Sequence, residues 1–189
     1  VKAPSPMTAT HLYFSPFWLF VHLLFTVMLM QMGTGALGPL DTLSAIELQF
    51  TNIQIGLIGA SHFAGFILGC FSAPVLLRRV GHARTYIVAA AVSILTILMH
   101  PIFPIFWTWC LFRILAGFSV AISFTAIESW LNAKLTTRNR GRFFSLYRLM
   151  DMSGALIAQS LIAVLMPMAH LSYTILAIIL SISLLPLGL

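Results

Sequence analysis

Four charged residues lie inside long apolar stretches of the chain: Arg113, Glu128, Arg148 and Asp151. If these stretches cross a lipid bilayer, an unpaired charge near its centre costs roughly 2.5–3.5 kcal/mol. Each side chain must therefore face a partner or a water-filled cavity, where it could form an ion pair, bind a polar solute or carry a proton. The sequence has no metal-ligand spacing, no nucleophile–base pair and no phosphate-binding loop, so we expect neither an enzyme nor a metal or cofactor site.

Three of these charges are predicted to lie at the same depth. Glu128 lies near the end of one apolar stretch, and Arg148 and Asp151 lie near the start of the next. Antiparallel neighbouring helices would bring these ends together. We predict a contact between Glu128 and Arg148, with Asp151 one helical turn away on the same face. Two roles remain open for this cluster: a structural clamp between two helices, or gating and proton handling.

Arg113 is predicted to lie deeper in the membrane. It precedes Glu128 by roughly 22 Å along a helix axis, at 1.5 Å per residue, so the two cannot pair. Two roles remain open for Arg113: a solute-binding group in a polar cavity, or a structural bond to backbone carbonyls. We predict that the cavity would be lined by Arg113, Gln31, Thr34 and Gln159.

The composition places the whole chain in the membrane class. Of its 189 residues, 60% are hydrophobic and only 7% are charged, whereas a soluble domain carries roughly a quarter charged residues. Long apolar runs without period-2 alternation favour helices, because a lipid-exposed backbone must satisfy its own hydrogen bonds. The sequence therefore predicts an all-α integral membrane protein with six transmembrane helices, at about residues 14–38, 54–77, 86–102, 105–131, 143–165 and 171–187.

The basic residues predict the orientation of these spans. All Lys and Arg residues outside the spans fall in the N-terminal tail and in two loops: Lys2, then Arg78, Arg79 and Arg84, then Lys134, Arg138, Arg140 and Arg142. The loop after the first span instead holds Asp41 and Glu47. The positive-inside rule then puts both termini, including a tail of residues 1–13, in the cytoplasm. The net charge of +6 reflects this topology and contacts with the lipid bilayer, so we expect no nucleic-acid partner.

Small residues indicate which helix faces pack closely. Gly65 and Gly69 form a GxxxG motif in the second span, and Gly117 continues a stripe of small residues in the fourth. A gapless alignment of residues 62–76 with 151–165 matches Gly65 to Gly154. This faint repeat relates the second span to the fifth, as a 3+3 inverted repeat requires.

Three motifs resemble the N-terminal half of a major facilitator superfamily transporter. The loop after the second span has Arg79 and Gly81 at the positions of that family's basic and glycine residues. RILAG places Arg113 four residues before Gly117, as in the family's fourth span. The third motif is the stretch IESWLNAKLTTRNRGRFFSLYRLMDMSGALIAQ, residues 127–159. It resembles the YcaD-like branch of the family, whose members are transporters of bacterial inner membranes.

The resemblance implies a six-helix half-bundle, truncated before a second bundle. It implies alternating access around a site between two halves, the partner being a C-terminal half of the same transporter or a second copy. It also implies that the gate includes the loop residues Arg78, Arg79, Gly81 and Arg84 with the cluster of Glu128, Arg148 and Asp151. The family's loop Asp, which latches the two halves together, is replaced here by Arg78, so we expect Glu128 to supply the negative charge.

The resemblance implies a secondary transporter that moves a small solute across the inner membrane. Proton coupling is implied by the resemblance, with Glu128 or Asp151 as the carrier. The Gly-Pro motif of drug/proton antiporters is absent from the fifth span, where Pro167 comes at the end without a preceding Gly. The alternative is a non-transporting six-span assembly or anchoring module.

Overall fold

A computed structural model describes residues 16–188, with the side chains of residues 20–186, so the predicted tail of residues 1–13 lies outside the described residues. All regular elements in the described part are α-helices: α1 (Pro16–Gly35), α2 (Leu37–Glu47), α3 (Asn52–Val80), α4 (His82–Met99), α5 (Phe106–Lys134), α6 (Arg140–Leu161), α7 (His170–Ile182) and α8 (Leu185–Gly188). The core lies between α1, α4, α5, α6 and α7.

The first expected span is longer than the sequence predicts, and the expected loop around Asp41 is wrong. Ala36 keeps nearly helical backbone angles, φ −80° and ψ −19°, so α2 continues almost directly from α1. Pro39 is tolerated because the first turn of a helix does not need its missing N–H. Leu37 and Leu40 are buried in the core, and Asp41 is buried with them in α2.

Local signals set the other helix ends. Thr51 and Gln54 form a capping box at the start of α3, which satisfies two of the first free N–H groups. Gly81 separates α3 from α4 with a positive φ of 86°, a conformation that glycine adopts without steric cost. Pro101 lacks an N–H and follows the end of α4 at Met99, three residues before the predicted bound.

Two glycines allow α3 and α5 to touch through their backbones. A Cβ atom on Gly65 would collide with the carbonyl group of Ile114, and one on Gly117 would collide with the carbonyl group of His62. A Cβ atom on Gly69 would also be too close to α5. The predicted stripe of small residues therefore lies in the most extensive helix contact of the molecule.

The remaining helices pack around α1 and α4. Helix α6 packs on α1, where a Cβ on Gly154 would lie 2.5 Å from the carbonyl oxygen of Met28. Helix α7 packs on both α1 and α4, and α4 packs on α5. The second expected span thus pairs with the fourth, and the fifth pairs with the first.

Four segments among the described residues are long and apolar enough to cross a membrane: Phe20–Glu47, Asn52–Val80, His82–Met99 and Phe106–Lys134. Helix α7 is apolar but shorter. Helix α6 has 22 residues and carries three arginines and Asp151. The described chain is thus an all-helical membrane bundle, and the six spans of a 3+3 repeat stay a prediction.

Candidate functional site

A buried polar cluster joins four segments at the end of the bundle opposite the two basic loops. It consists of Asp41 and Ser44 on α2, His100 after α4, Arg113 on α5 and Tyr173 on α7, and we call it the Asp41 cluster. Asp41 Oδ2 lies 3.2 Å from His100 Nε2 and 3.6 Å from Arg113 Nη1. Asp41 Oδ1 accepts a hydrogen bond of 3.1 Å from the Tyr173 hydroxyl, which lies 3.0 Å from Ser44 Oγ. The carboxylate is thus contacted from three directions.

The imidazole of His100 is held in a fixed orientation. Its Nδ1 lies 2.6 Å from the Thr96 carbonyl oxygen, one helical turn earlier in α4. The backbone carbonyl oxygen of His100 accepts a hydrogen bond of 2.9 Å from the indole nitrogen of Trp109. The ring stacks on Tyr173 at 6.1 Å and also contacts Phe112. These contacts direct Nε2 to Asp41.

Arg113 is buried but has unused hydrogen-bond donors. Its side chain is 9% exposed, and its Nε has no hydrogen-bond partner among the described residues. The 3.6 Å contact with Asp41 is an ion pair longer than a hydrogen bond. A Cβ on Gly38 would lie 3.3 Å from Nη2, so the glycine makes room for the guanidinium. An unpaired buried donor is costly, and an anion could satisfy it.

A cavity of about 340 Å³ lies beside Arg113, between α1, α2, α3 and α5. It is lined by Gln31, Thr34, Gly35, Gly38, His62, Phe63, Phe66, Arg113, Val120 and Phe124. Three of the four predicted cavity residues are therefore in its wall, whereas Gln159 lies exposed on α6 and is not. His62 contributes Nδ1, which is buried and has no hydrogen-bond partner in the described part of the chain. Aromatic walls with a few polar groups are typical of small-molecule sites.

The second polar cluster lies near the basic loops, and its predicted central contact is wrong. Glu128 Oε1 accepts a hydrogen bond of 3.1 Å from the Tyr147 hydroxyl. Arg148 Nη1 instead lies 3.0 Å from Asp151 Oδ2, three residues along the same helix. No ion pair joins Glu128 to Arg148 in the described chain, because Tyr147 is the α6 side chain that faces Glu128. Arg148 has a 64% exposed side chain.

Helices α3 and α4 are joined by the single residue Gly81. The three arginines on the flanking helix ends, Arg78, Arg79 and Arg84, are exposed and form no ion pair with any described residue. Glu128 therefore does not supply the expected partner for Arg78. This junction is instead tied to α5 by His82, whose Nε2 lies 3.1 Å from Ser129 Oγ. Beside it, a wider cavity of about 720 Å³ is lined by Glu128, Ser129, Arg140 and neighbouring residues of α5 and α6.

The sequence did not identify most of the Asp41 cluster. Asp41 was assigned to the loop after the first span, which was expected to end at about residue 38, and His100, Ser44 and Tyr173 were not singled out. One available signal was the helical spacing of Leu37, Leu40, Ser44 and Ala45, which puts Asp41 on the same helix face. The described residues contain no group of three His, Cys, Asp or Glu side chains that could hold a metal ion.

Comparison with known proteins gives one consistent result. Residues 23–189 match the sequence profile of the Major Facilitator Superfamily. The chain is 30% identical over 133 residues to an Uncharacterized MFS-type transporter of Enterobacter sp. (strain 638), which covers 69% of this chain and 35% of that protein. It is 29% identical over 144 residues to the Uncharacterized MFS-type transporter YcaD of Salmonella newport (strain SL254), covering 72% of this chain and 38% of that protein. The chain spans little more than a third of the length of these relatives.

Proposed function

Because the chain belongs to the major facilitator superfamily, we propose that it is the N-terminal six-helix half of a secondary active transporter that moves a small solute across the inner membrane. In such transporters the solute site lies near the membrane midplane, between two bundles that rock around it. The second wall of the site is the C-terminal half of the same transporter or a second copy of this chain. The observation that carries this proposal is Arg113, a buried guanidinium beside a cavity.

Arg113 is better suited to solute binding than to a purely structural role. A structural arginine in a membrane bundle would donate hydrogen bonds to nearby backbone carbonyls or to a closely paired carboxylate. Here Nε has no hydrogen-bond partner within the described residues, and Asp41 Oδ2 lies 3.6 Å from Nη1. Gln31 and Thr34 add an amide and a hydroxyl to the same wall, which suits a solute with several polar groups.

Proton coupling and gating belong to the proposal. Glu128 and Asp151 lie near the basic loops and are candidate proton carriers, with Arg148 as the ion-pair partner of Asp151. The loop residues Arg78, Arg79, Gly81 and Arg84 are candidates for a gate on the same side. Asp41, at the other end of the bundle, is a buried carboxylate and a third candidate for binding a proton.

The topology is proposed on two grounds. Both basic loops lie at the same end of the bundle, which favours cytoplasmic termini under the positive-inside rule. The pairing of α3 with α5 and of α6 with α1 supports a 3+3 inverted repeat, because it relates the second span to the fifth and the fourth to the first. Gly65 and Gly154 occupy corresponding contacts in these two pairs.

Solute enrichment in membrane vesicles tests the proposed function. Everted vesicles containing the protein, expressed from its full gene, would be incubated with a defined mixture of small polar metabolites and then analysed by mass spectrometry. Enrichment or depletion of one solute relative to vesicles without the protein, abolished by collapsing the proton gradient, would support proton-coupled transport. If no solute differs between the two vesicle preparations, the non-transporting assembly is favoured instead.

A further inference from the structure

The hydrogen on His100 can be placed from its contacts. The Thr96 carbonyl oxygen can only accept, so the short 2.6 Å contact requires the hydrogen to be on Nδ1. In a neutral imidazole, Nε2 then carries a lone pair. This Nε2 lies 3.2 Å from Asp41 Oδ2, close enough for an ion pair but without the alignment of a hydrogen bond, and neither atom has a hydrogen-bond partner among the described residues.

A proton between His100 Nε2 and Asp41 Oδ2 is needed to make this contact favourable. Without one, a lone pair would face a carboxylate in a site where His100 is 0% and Asp41 1% exposed, so little water is present to relieve the repulsion. With one proton the pair is either a carboxylate and an imidazolium, or a carboxylic acid and an imidazole. Both forms have a net charge of zero.

The Asp41 cluster with this shared proton therefore carries a single positive charge. Tyr173 and Ser44 are neutral hydroxyls, and the guanidinium of Arg113 stays protonated in proteins. Arg113 is also in the cavity wall, where every other lining residue except His62 has an uncharged and non-titrating side chain. The electrostatics of the cavity thus favour a solute with one negative charge.

The rest of the cavity wall indicates the body of that solute. Phe63, Phe66 and Phe124 line the cavity together with Val120, whereas the polar groups are confined to Arg113, Gln31, Thr34 and His62. A carboxylate fits the unused donors of Arg113, since guanidinium and carboxylate match in geometry and charge. An aromatic or other apolar body fits the phenylalanine side chains.

Resting on the proposed function, we propose that this cavity takes a monocarboxylate with an apolar body, and that the proton shared by Asp41 and His100 controls its binding. When the proton leaves Nε2 or Oδ2 for water, Asp41 becomes a carboxylate beside a neutral imidazole and the cluster has no net charge. Asp41 then competes with the solute carboxylate for Arg113. One proton and one monoanion thus bind together, which makes the coupled movement electrically neutral.

Binding of benzoate tests this proposal without requiring transport. The purified full-length protein would be titrated with benzoate, and with benzamide and benzylamine as neutral and cationic probes of the same shape. At about pH 5.5 benzoate should bind at least tenfold tighter than either control probe, and its affinity should be lower at about pH 8.5. Arg113→Gln should abolish the preference for the anion.

The variant Asp41→Asn distinguishes the effect of the proton from an effect on folding. The amide can still accept from Tyr173 and can donate to His100 Nε2, so the cluster keeps a charge of +1 at every pH and benzoate binding should become independent of pH. Glu47→Gln, on the same helix but exposed, should retain the wild-type pH dependence. Equal binding of the three probes, no benzoate binding, or a wild-type pH dependence in Asp41→Asn would overturn the proposal. Normal binding without solute transport in vesicles would contradict the proposed function alone.

Discussion

Arg113 Nη1 lies 3.6 Å from Asp41 Oδ2, across the contact between α5 and α2. The two side chains are only 9% and 1% exposed, so water screens the attraction between the guanidinium and the carboxylate only weakly. The distance is short enough for an ion pair and too long for a hydrogen bond. The carboxylate therefore stabilises the buried guanidinium and leaves its donors available to a solute.

Asp41→Ala should strongly destabilise the bundle. It leaves Arg113 buried without its counter-ion and removes the acceptor of the Tyr173 hydroxyl, and breaking a buried pair costs about 3–5 kcal/mol. Thermal unfolding of the purified protein measures this loss. The control is Glu47→Ala, on the same helix but exposed, which should change the midpoint little. Equal midpoints for the two variants would contradict a stabilising role for the pair.

Gly65→Ala should disrupt the contact between α3 and α5. The added Cβ would collide with the backbone of Ile114, and overpacking of this kind costs about 1–3 kcal/mol or more. Gly59→Ala, six residues earlier on α3, has nothing within 4 Å of its added Cβ and should be neutral or slightly stabilising. The unfolding midpoints of the two variants, measured in the same detergent, distinguish these outcomes. If both variants unfold together, α3 and α5 do not approach as described.

Tyr147→Phe should weaken the link between α5 and α6 more than Arg148→Ala does. Tyr147 donates its hydroxyl hydrogen to Glu128, and such a bond contributes about 0.5–1.5 kcal/mol. Arg148 is largely exposed and pairs within its own helix, where ion pairs contribute little. A double-mutant cycle between Glu128→Ala and each α6 variant should give coupling with Tyr147 and none with Arg148. Coupling with Arg148 alone would restore the contact predicted from the sequence.

Gly38→Ala should weaken solute binding without unfolding the protein. The added Cβ would lie 3.3 Å from Arg113 Nη2 and would shift the guanidinium, while alanine raises the helix propensity of α2. We expect a weaker benzoate affinity at an unchanged or higher unfolding midpoint. Wild-type affinity in this variant would mean that the position of the guanidinium does not determine binding.

Much of the architecture follows from sequence, because lipid imposes strict requirements on the chain. Apolar runs predicted helices, and the small residues Gly65, Gly69 and Gly117 predicted a face for close packing, which lies in the contact of α3 with α5. Arg113 was recognised from its charge alone. These inferences need only composition and periodicity.

The Asp41 cluster could not be predicted in the same way. Its members come from four segments far apart in the chain, and the break at Ala36 hid the continuation of the first span. A further ambiguity affected α6, where sequence spacing could not decide whether Tyr147 or Arg148 faces Glu128. A rotation of roughly 100° per residue separates the two side chains, and tertiary packing determines which one makes the contact.

Solute uptake by Arg113→Gln tests the central claim most directly. Using the solute identified in the vesicle screen, initial uptake rates would be compared for wild type, Arg113→Gln and the exposed control Arg138→Gln, each at equal amounts of folded protein in the membrane. Loss of charge-assisted hydrogen bonds predicts a fall of roughly tenfold to a hundredfold for Arg113→Gln, with Arg138→Gln near wild type. Wild-type uptake by Arg113→Gln would contradict the assignment of this cavity as the solute site.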